Sequence, residues 1–424
     1  MGTVLDHATQ AEQAGRPRVL MSAFACEPGR GSEQEVGWRW AMEMSRWFDV
    51  TVLTQTRNRP GIERELQRGL PPDRTLRFEY FQLAAPVYRL KSRFDPLTWP
   101  YYAWWQRAAL RVAERLHADN PFDLAHHVTF VSFRGPVWLK ALGIPVVFGP
   151  VGGADPAPFH LLGRGFGPGT WCKEVARNAL TGLGVGMMRL APPVHGVRGC
   201  CLAATPAMAR LFDRAGLPNE VFPAVGIDPG PPHDLPQAVA GAPRFLFVGR
   251  FHPLKGVHLL LEAFARADIA GAGLTLVGSG SDEGRLRRLA ARLGIADRVV
   301  WTGKRPRAEL AACYREHDVL VAPSLYESGG LAALEAMAQG LPAIVLDVGG
   351  HSLSVATGCG IKVPPAGGID QVVDGLAEAM RQYAATPERI AADGQRARER
   401  VAAEYDWSRK GLRMREVYQQ LLRA

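Results

Sequence analysis

Two carboxylates, Glu327 and Glu335, stand eight residues apart in the segment Glu327-Ser-Gly-Gly-Leu-Ala-Ala-Leu-Glu335. The pair Gly329–Gly330 opens a helix predicted from Leu331 to Gln339. With no side chains at the glycines, an anion can approach the free backbone N–H groups at the helix start. Glu335 lies one turn into that helix, where contact with the same anion would be repulsive. Its oxygens are instead suited to accept hydrogen bonds from the hydroxyls of a sugar or ribose. Phosphate at the glycines and hydroxyls at the carboxylates together describe a nucleotide-sugar.

A second constellation, Gly249-Arg-Phe-His-Pro-Leu-Lys-Gly256, follows a predicted strand at Arg244–Val248 and precedes a helix. Arg250 and Lys255 fall in this strand-to-helix loop, near the place where the Gly329–Gly330 helix should open. Two cations and a helix N-terminus make a diphosphate clamp that needs no metal. In the first half of the chain, the loop Gly29–Gly37 would let Gly31 and Ser32 bring backbone close to the donor phosphate or the acceptor. A second glycine loop, Gly149-Pro-Val-Gly-Gly-Ala-Asp155, is assigned to the acceptor side through Gly152 and Gly153. Ala125-His126-His127-Val128 ends a predicted strand. Neighbouring strand residues point to opposite faces, so one of His126 and His127 reaches the expected cleft, and which one is open. Asp95–Gln106 concentrates five aromatics near Lys91, Arg93 and Arg107. That mixture suits a membrane interface where a lipid-linked acceptor is met, and it equally suits a core-packing helix or an acceptor platform.

These residues must be positioned by strands and helices, and the chain has room for two domains of them. Arg18–Ala25, a helix over Gly37–Arg46 and Asp49–Thr54 form a βαβ unit with a glycine loop after its first strand. The spacing of Gly29, Gly31 and Gly37 is not that of a dinucleotide fingerprint, and no acid follows the second strand, so a nicotinamide cofactor is not expected. Short strands follow at Phe78–Phe81, Leu124–Val128, Pro145–Phe148 and Gly199–Ala203. After a Pro-rich linker, strands at Arg244–Val248, Leu274–Val277, Val299–Trp301, Val319–Ala322 and Ala343–Leu346 alternate with helical runs. The fold class is α/β, with two Rossmann-like doubly wound parallel-sheet domains facing a central cleft. The expected divisions are 1–228 (with 1–17 a loose tail), a linker 229–243, a second domain 244–405, and a C-terminal helix 406–424 that packs back on the first domain.

Composition narrows the partners. Of 424 residues, 47% are hydrophobic and 21% charged, as in globular proteins. No apolar run is long enough to span a bilayer, and the first 17 residues lack the apolar block of a signal peptide. Six cysteines without metal-ligand spacing are expected to be free thiols in a reducing cytoplasm. The net charge of +9 admits nucleic acid, an anionic membrane surface or anionic small molecules. No nucleic-acid-binding signature accompanies it, so nucleic acid is not an expected partner.

The ordered motifs Gly249-Arg…Lys255-Gly, Leu276-Val-Gly-Ser-Gly280, Val299-Val-Trp-Thr-Gly303, Pro323-Ser…Glu327…Leu334-Glu-Ala-Met-Ala…Gly340-Leu-Pro and Val348-Gly-Gly350 resemble the carboxyl-terminal domain of family-4 retaining (group 1) glycosyltransferases. The resemblance runs from about Phe245 to Pro364. It implies the GT-B architecture and transfer of a sugar from a nucleoside diphosphate sugar to an acceptor hydroxyl, with retention of configuration. The acceptor would be a small molecule, a glycan or a lipid-linked sugar, in a cytoplasmic protein with a peripheral place at the inner membrane face left open. Arg250 and Lys255 would hold the diphosphate, Glu327 the sugar hydroxyls and Glu335 the ribose. The backbone of Ser328, Gly329, Gly330 and Leu331 would meet phosphate and sugar, with Gly31, Gly249 and Gly278 on the same donor side. His126 or His127 would contact the transferred sugar, although the family spacing points at Val128. No nucleophilic side chain, metal or other cofactor is implied, since the leaving phosphate assists deprotonation. Ser328-Gly329-Gly330 replaces the frequent Gly-Phe-Gly, which would widen the sugar pocket. A paired-carboxylate glycosidase is disfavoured because one acid sits in the phosphate-binding helix. The alternatives are a nucleotide-sugar epimerase or a non-catalytic nucleotide-sugar-binding protein of the same fold.

Overall fold

The computed structural model describes residues 15–423 apart from 95–96, 156, 164, 191, 195, 229 and 231–240. Residues 1–14 of the expected tail, most of the expected linker, and Asp95 and Pro96 of the aromatic segment lie outside the described residues. The chain divides into two units. The first comprises residues up to Gly152, Gly182–Ala224 and the chain from Trp407 onward; the second comprises Gly153–Thr181 and Val225–Asp406. Gly153–Thr181, expected in the first domain, thus groups with the second unit: Ala157, Leu161 and Leu162 are buried in its core.

The first unit is built on seven strands: β1 (Arg18–Ala23), β2 (Asp49–Gln55), β3 (Thr75–Phe81), β4 (Leu124–Thr129), β5 (Val146–Val151), β6 (Gly199–Ala203) and β7 (Asn219–Val221). They pair in parallel in the order β3-β2-β1-β4-β5-β6-β7. The strand β7 carries no sequence signal, being three half-buried residues at the sheet edge. The first helix, Ser32–Met44, begins five residues before the expected Gly37. Gly37 lies inside it because a Cβ there would come within 2.1 Å of Ala25 O. Glycine is needed for close approach of helix to loop, not to start the helix. The last helix, Trp407–Arg423, follows a π-helical turn at Val401–Tyr405 and packs into this unit. Trp407 meets Trp40 edge-on at 5.2 Å, and Lys410 Nζ donates to Pro223 O at 2.5 Å.

The second unit has six parallel strands: β8 (Arg244–Val248), β9 (Gly273–Val277), β10 (Val299–Gly303), β11 (Val319–Ala322), β12 (Ala343–Leu346) and β13 (Gly360–Val363). Their order is β10-β9-β8-β11-β12-β13, with the reversal between β8 and β11. Phe245, Phe247, Val319, Val321, Ile344 and Leu346 enter one core cluster, with helices Val257–Ala267 and Ile369–Ala385. The alternate residues Leu246, Leu320, Ala322, Ala343 and Val345 enter another, with helices Leu331–Ala338 and Pro387–Arg400. A strand covered on both faces is apolar at every position, which is why these segments read as unbroken apolar runs. The edge strand β13, Gly360-Ile-Lys-Val, is half-buried at its centre and was not expected.

Gly278 directly follows β9 with φ 145°, and a Cβ there would lie 1.8 Å from Gly249 O. Neither backbone can yield without moving its strand. We predict that Gly278→Ala lowers unfolding free energy by about 2 kcal/mol or more, since backbone strain and overpacking coincide. An unchanged urea midpoint would contradict this account.

Candidate functional site

The loops after β8 and β11 leave adjacent strands at the reversal of the second sheet, where ligands bind in doubly wound folds. Backbone contacts fix them against each other. Leu325 N–H donates to Leu254 O at 2.8 Å. Gly256 has φ 67°, and a Cβ on it would lie 2.0 Å from Pro323 O. A third loop joins from β12, where Gly350 N–H donates to Glu327 O at 2.8 Å.

This stitching brings Lys255 to Glu327, with Nζ donating to Oε2 at 2.6 Å. The other oxygen, Oε1, accepts from Gly330 N–H at 3.2 Å, at the start of helix Leu331–Ala338. Burial pushes the Glu327 carboxyl upward, but Lys255, His351 and these two hydrogen bonds outweigh it and hold the group at about 2. His351, itself pushed down to about 4 chiefly by burial, is neutral at pH 7. Lys255 therefore carries the decisive charge. Glu327 is a carboxylate at neutral pH, a hydrogen-bond acceptor and not an acid.

Two expectations change. Gly330 N–H is not free for an anion, because Glu327 accepts it. The N–H groups of the first helical turn, from Leu331, have no intrahelical partner and stay available as donors. Lys255 is not an isolated cation, since one of its three donors is committed to Glu327. Arg250 is exposed and makes no ion pair among the described residues. Gly329 and Gly330 also serve packing: their Cβ atoms would lie 2.8 Å from Val225 Cγ1 and 3.0 Å from His351 Cδ2. Gly249 N–H donates to Val277 O at 3.0 Å, which holds Gly249 beside Gly278.

Glu335 is held by two residues that carry no motif of their own. Tyr314 OH donates to Oε2 at 3.1 Å, and Arg307 Nη2 stands 3.5 Å from Oε1. Burial raises the Glu335 carboxyl above its ordinary value, while Arg307 and Tyr314 pull it down. Tyr314 lies 21 residues upstream on another helix, a separation that leaves no sequence signal. His351 was discoverable, since it directly follows the motif glycines Gly349–Gly350. Its Nδ1 and Ser354 Oγ are buried without hydrogen-bond partners beside Gly330. Such atoms are where a polar ligand gains hydrogen bonds.

In the first unit His126 and His127 do point to opposite faces of β4. His126 Nδ1 meets Tyr418 OH at 2.5 Å and Nε2 meets Gly149 O at 2.8 Å. With both nitrogens engaged and the residue fully buried, His126 is structural here. His127 Nε2 meets Tyr102 OH at 2.7 Å and Gln106 Nε2 at 3.0 Å, and it too is buried. His126 thus has no nitrogen left to offer, whereas His127 Nδ1 is buried without a hydrogen-bond partner. Gly31 caps the helix Ser32–Met44, and β5 extends to Val151, so Gly152 directly follows the strand while Gly153 opens the second unit. Glu33, which no motif singles out, keeps exposed surface while surrounding protein raises its carboxyl to about 7 against a hydrogen bond from the Phe130 backbone. Phe130, just past β4, has φ 54°, a strained value outside glycine. The aromatic segment divides: Tyr101, Tyr102 and Trp105 are buried, while Trp99 and Trp104 are exposed. No metal-ligand cluster occurs, and no helix is long and apolar enough to cross a membrane, among the described residues.

The Lys255–Glu327 pair is 29% and 15% exposed, between the surface and fully buried cases. Lys255→Ala should destabilise by about 2 kcal/mol by stranding a carboxylate, and Glu327→Gln in that background should recover most of it. Additive losses in a double-mutant cycle would refute the coupling. The buried imidazoles of His126, His258 and His351 sit at about 4 instead of 6.5, chiefly through burial. The unfolded chain takes up these protons near 6.5 and the folded chain only near 4. Stability is therefore complete above that window and falls as pH drops through it. Glu327, at about 2 against 4.5, continues the loss below 4.5. Urea unfolding across this range should show the decline, with a shallower slope in His351→Gln; an identical slope would exclude His351 from it.

Residues 236–397 match the family of glycosyl transferases group 1. The chain is 34% identical over 199 residues to the D-inositol 3-phosphate glycosyltransferase of Mycolicibacterium smegmatis, covering 44% of each chain. It thus spans less than half the length of that relative. It is 29% identical over 348 residues to the 2-deoxystreptamine glucosyltransferase of Streptomyces kanamyceticus, covering 76% of this chain and 83% of that one. In fold it is similar to sucrose-phosphate synthase from Thermosynechococcus elongatus (TM-score 0.65, 22% identity, 96% and 99% covered). It is also similar to HepE of Anabaena in complex with UDP and glucose (TM-score 0.58, 17% identity, 95% and 99% covered). Residues 236–397 thus carry the group 1 glycosyl transferase match, and over nearly its whole length the chain has the fold of these solved structures, two Rossmann-like domains of the GT-B class.

Proposed function

We propose that the chain transfers a sugar from a nucleoside diphosphate sugar to an acceptor hydroxyl with retention of configuration and without a metal. The observation that carries this reading is Lys255 held against an ionised Glu327 at the start of helix Leu331–Ala338. Lys255 keeps two donors for a diphosphate, joined by the exposed Arg250 and the first-turn N–H groups. As the anomeric bond breaks, this fixed positive field stabilises the leaving diphosphate, and stabilisation of that kind usually lowers such barriers more than any other effect. Glu327 keeps lone pairs for sugar hydroxyls, and Glu335 accepts from the ribose. UDP bound to the structurally similar HepE supports a uridine nucleotide as the first donor to try.

The acceptor we propose is a polyhydroxylated small molecule, a glycan or a lipid-linked sugar, used in glycan, glycolipid or glycoside biosynthesis. Relatives named for D-inositol 3-phosphate and 2-deoxystreptamine support ring polyols as the first acceptors to try. The site of action is proposed to be the cytoplasm, with peripheral contact to a membrane through exposed Leu90, Phe94, Trp99 and Trp104 beside Arg89 and Arg93.

A panel of nucleotide-sugars should include one that raises the melting temperature of the protein, since ligand binding to the native state is stabilising. With that donor, Lys255→Ala should bind at least tenfold more weakly and turn over more slowly. Glu335→Gln should weaken the free nucleoside diphosphate as much as the whole donor. Transfer at the wild-type rate by Lys255→Ala would overturn the clamp, and unchanged nucleotide affinity in Glu335→Gln would overturn the ribose contact.

A further inference from the structure

A cavity of about 430 Å³ opens in the first unit, far along the sheet from the loops that follow its strands. Pro17 immediately precedes β1 and Phe48 immediately precedes β2, and both line it, so it lies at the amino-terminal edge of the sheet. Ligands of doubly wound folds bind at the opposite edge. Its remaining wall comes from the end of helix Trp407–Arg423.

Four guanidinium groups line it: Arg16, Arg46, Arg415 and Arg423. Among the described residues one carboxylate pairs with them, Glu43, whose Oε2 stands 3.2 Å from Arg46 Nη1. Arg16 spends Nη1 on the backbone carbonyls of Asp73, at 2.9 Å, and Ser45, at 3.4 Å. Arg415 and Arg423 make no ion pair among the described residues, and Arg415 Nε is buried without a hydrogen-bond partner. Trp47 stiffens the wall, with Arg415 5.4 Å and Arg46 6.0 Å from its ring. Like charges are thus gathered at one concave surface, and a buried donor is left over. A group that is multiply negative and can present pairs of oxygens to several guanidinium forks resolves both, and clustered phosphates do this. The volume exceeds what one phosphate fills and falls in the range of small-molecule sites.

We propose that this cavity binds a small soluble molecule bearing clustered phosphates, at a site separate from the one built on Lys255 and Glu327. Isothermal titration with inorganic tripolyphosphate, at fixed ionic strength, tests it on the full chain. Wild-type protein and Lys255→Ala should show the same binding event. Arg415→Gln/Arg423→Gln should weaken it at least tenfold, and Arg423→Gln alone, an exposed position that folding tolerates, severalfold. Sodium sulfate at matched ionic strength should not compete. The proposal falls if both arginine variants bind as wild type, if Lys255→Ala abolishes binding, or if sulfate competes equally. It also falls if phosphatidylcholine vesicles containing phosphatidic acid displace tripolyphosphate, since the phosphates would then belong to a lipid surface.

Discussion

A carboxylate taken out of water is stable only where opposite charge and hydrogen bonds replace what hydration supplied. Glu327 meets that requirement through Lys255 on one side and Gly330 on the other. Lys255 is 72 residues away and reaches Glu327 because β8 and β11 are neighbours in the sheet. The loops are then pressed together at Gly256 and Pro323, and at Gly349 and the Glu327 carbonyl, where a Cβ would lie only 2.0 Å away. Sheet order, loop glycines and the ion pair are one constraint expressed at three scales. Remove the sheet adjacency and the charges have no reason to meet.

That constraint explains what could be read from the residues alone. The second unit was legible because its strands are buried on both faces and announce themselves as apolar runs, from Arg244–Val248 to Ala343–Leu346. Loops after neighbouring strands come together in such sheets, so the meeting of Lys255 with Glu327 was legible from where their loops fall. Contacts set by side-chain packing were not legible. Tyr314 and Arg307 reach Glu335 from another helix, and nothing in their own neighbourhood marks them. The commitment of Gly330 N–H to Glu327 was hidden too, because a glycine pair looks the same whether its amides are free or taken.

The first unit resisted reading for a related reason. Its histidines look chemical in sequence, yet each lies inside a polar knot: Tyr418 and Gly149 around His126, Tyr102 and Gln106 around His127. A histidine on a central strand can be ligand, catalyst or ballast; His126 has both ring nitrogens engaged, while His127 keeps Nδ1 without a hydrogen-bond partner. The aromatic segment shows the same ambiguity resolved by geometry, with Tyr102 and Trp105 turned inward against Phe24 while Trp99 and Trp104 stay at the surface.

The bond from His126 to Tyr418 joins residues 292 positions apart, and Trp40 waits for Trp407 in the same way. A ribosome releasing this chain would therefore expose the first unit with one wall of its core missing until the last helix emerged. The second unit, assembled from Gly153–Thr181 and Val225–Asp406, has all of its residues in hand before that helix appears. The order of closure thus runs against the order of synthesis, and the interval between them is when the bare faces of Trp40 and Phe222 are most open to wrong partners, chaperones included.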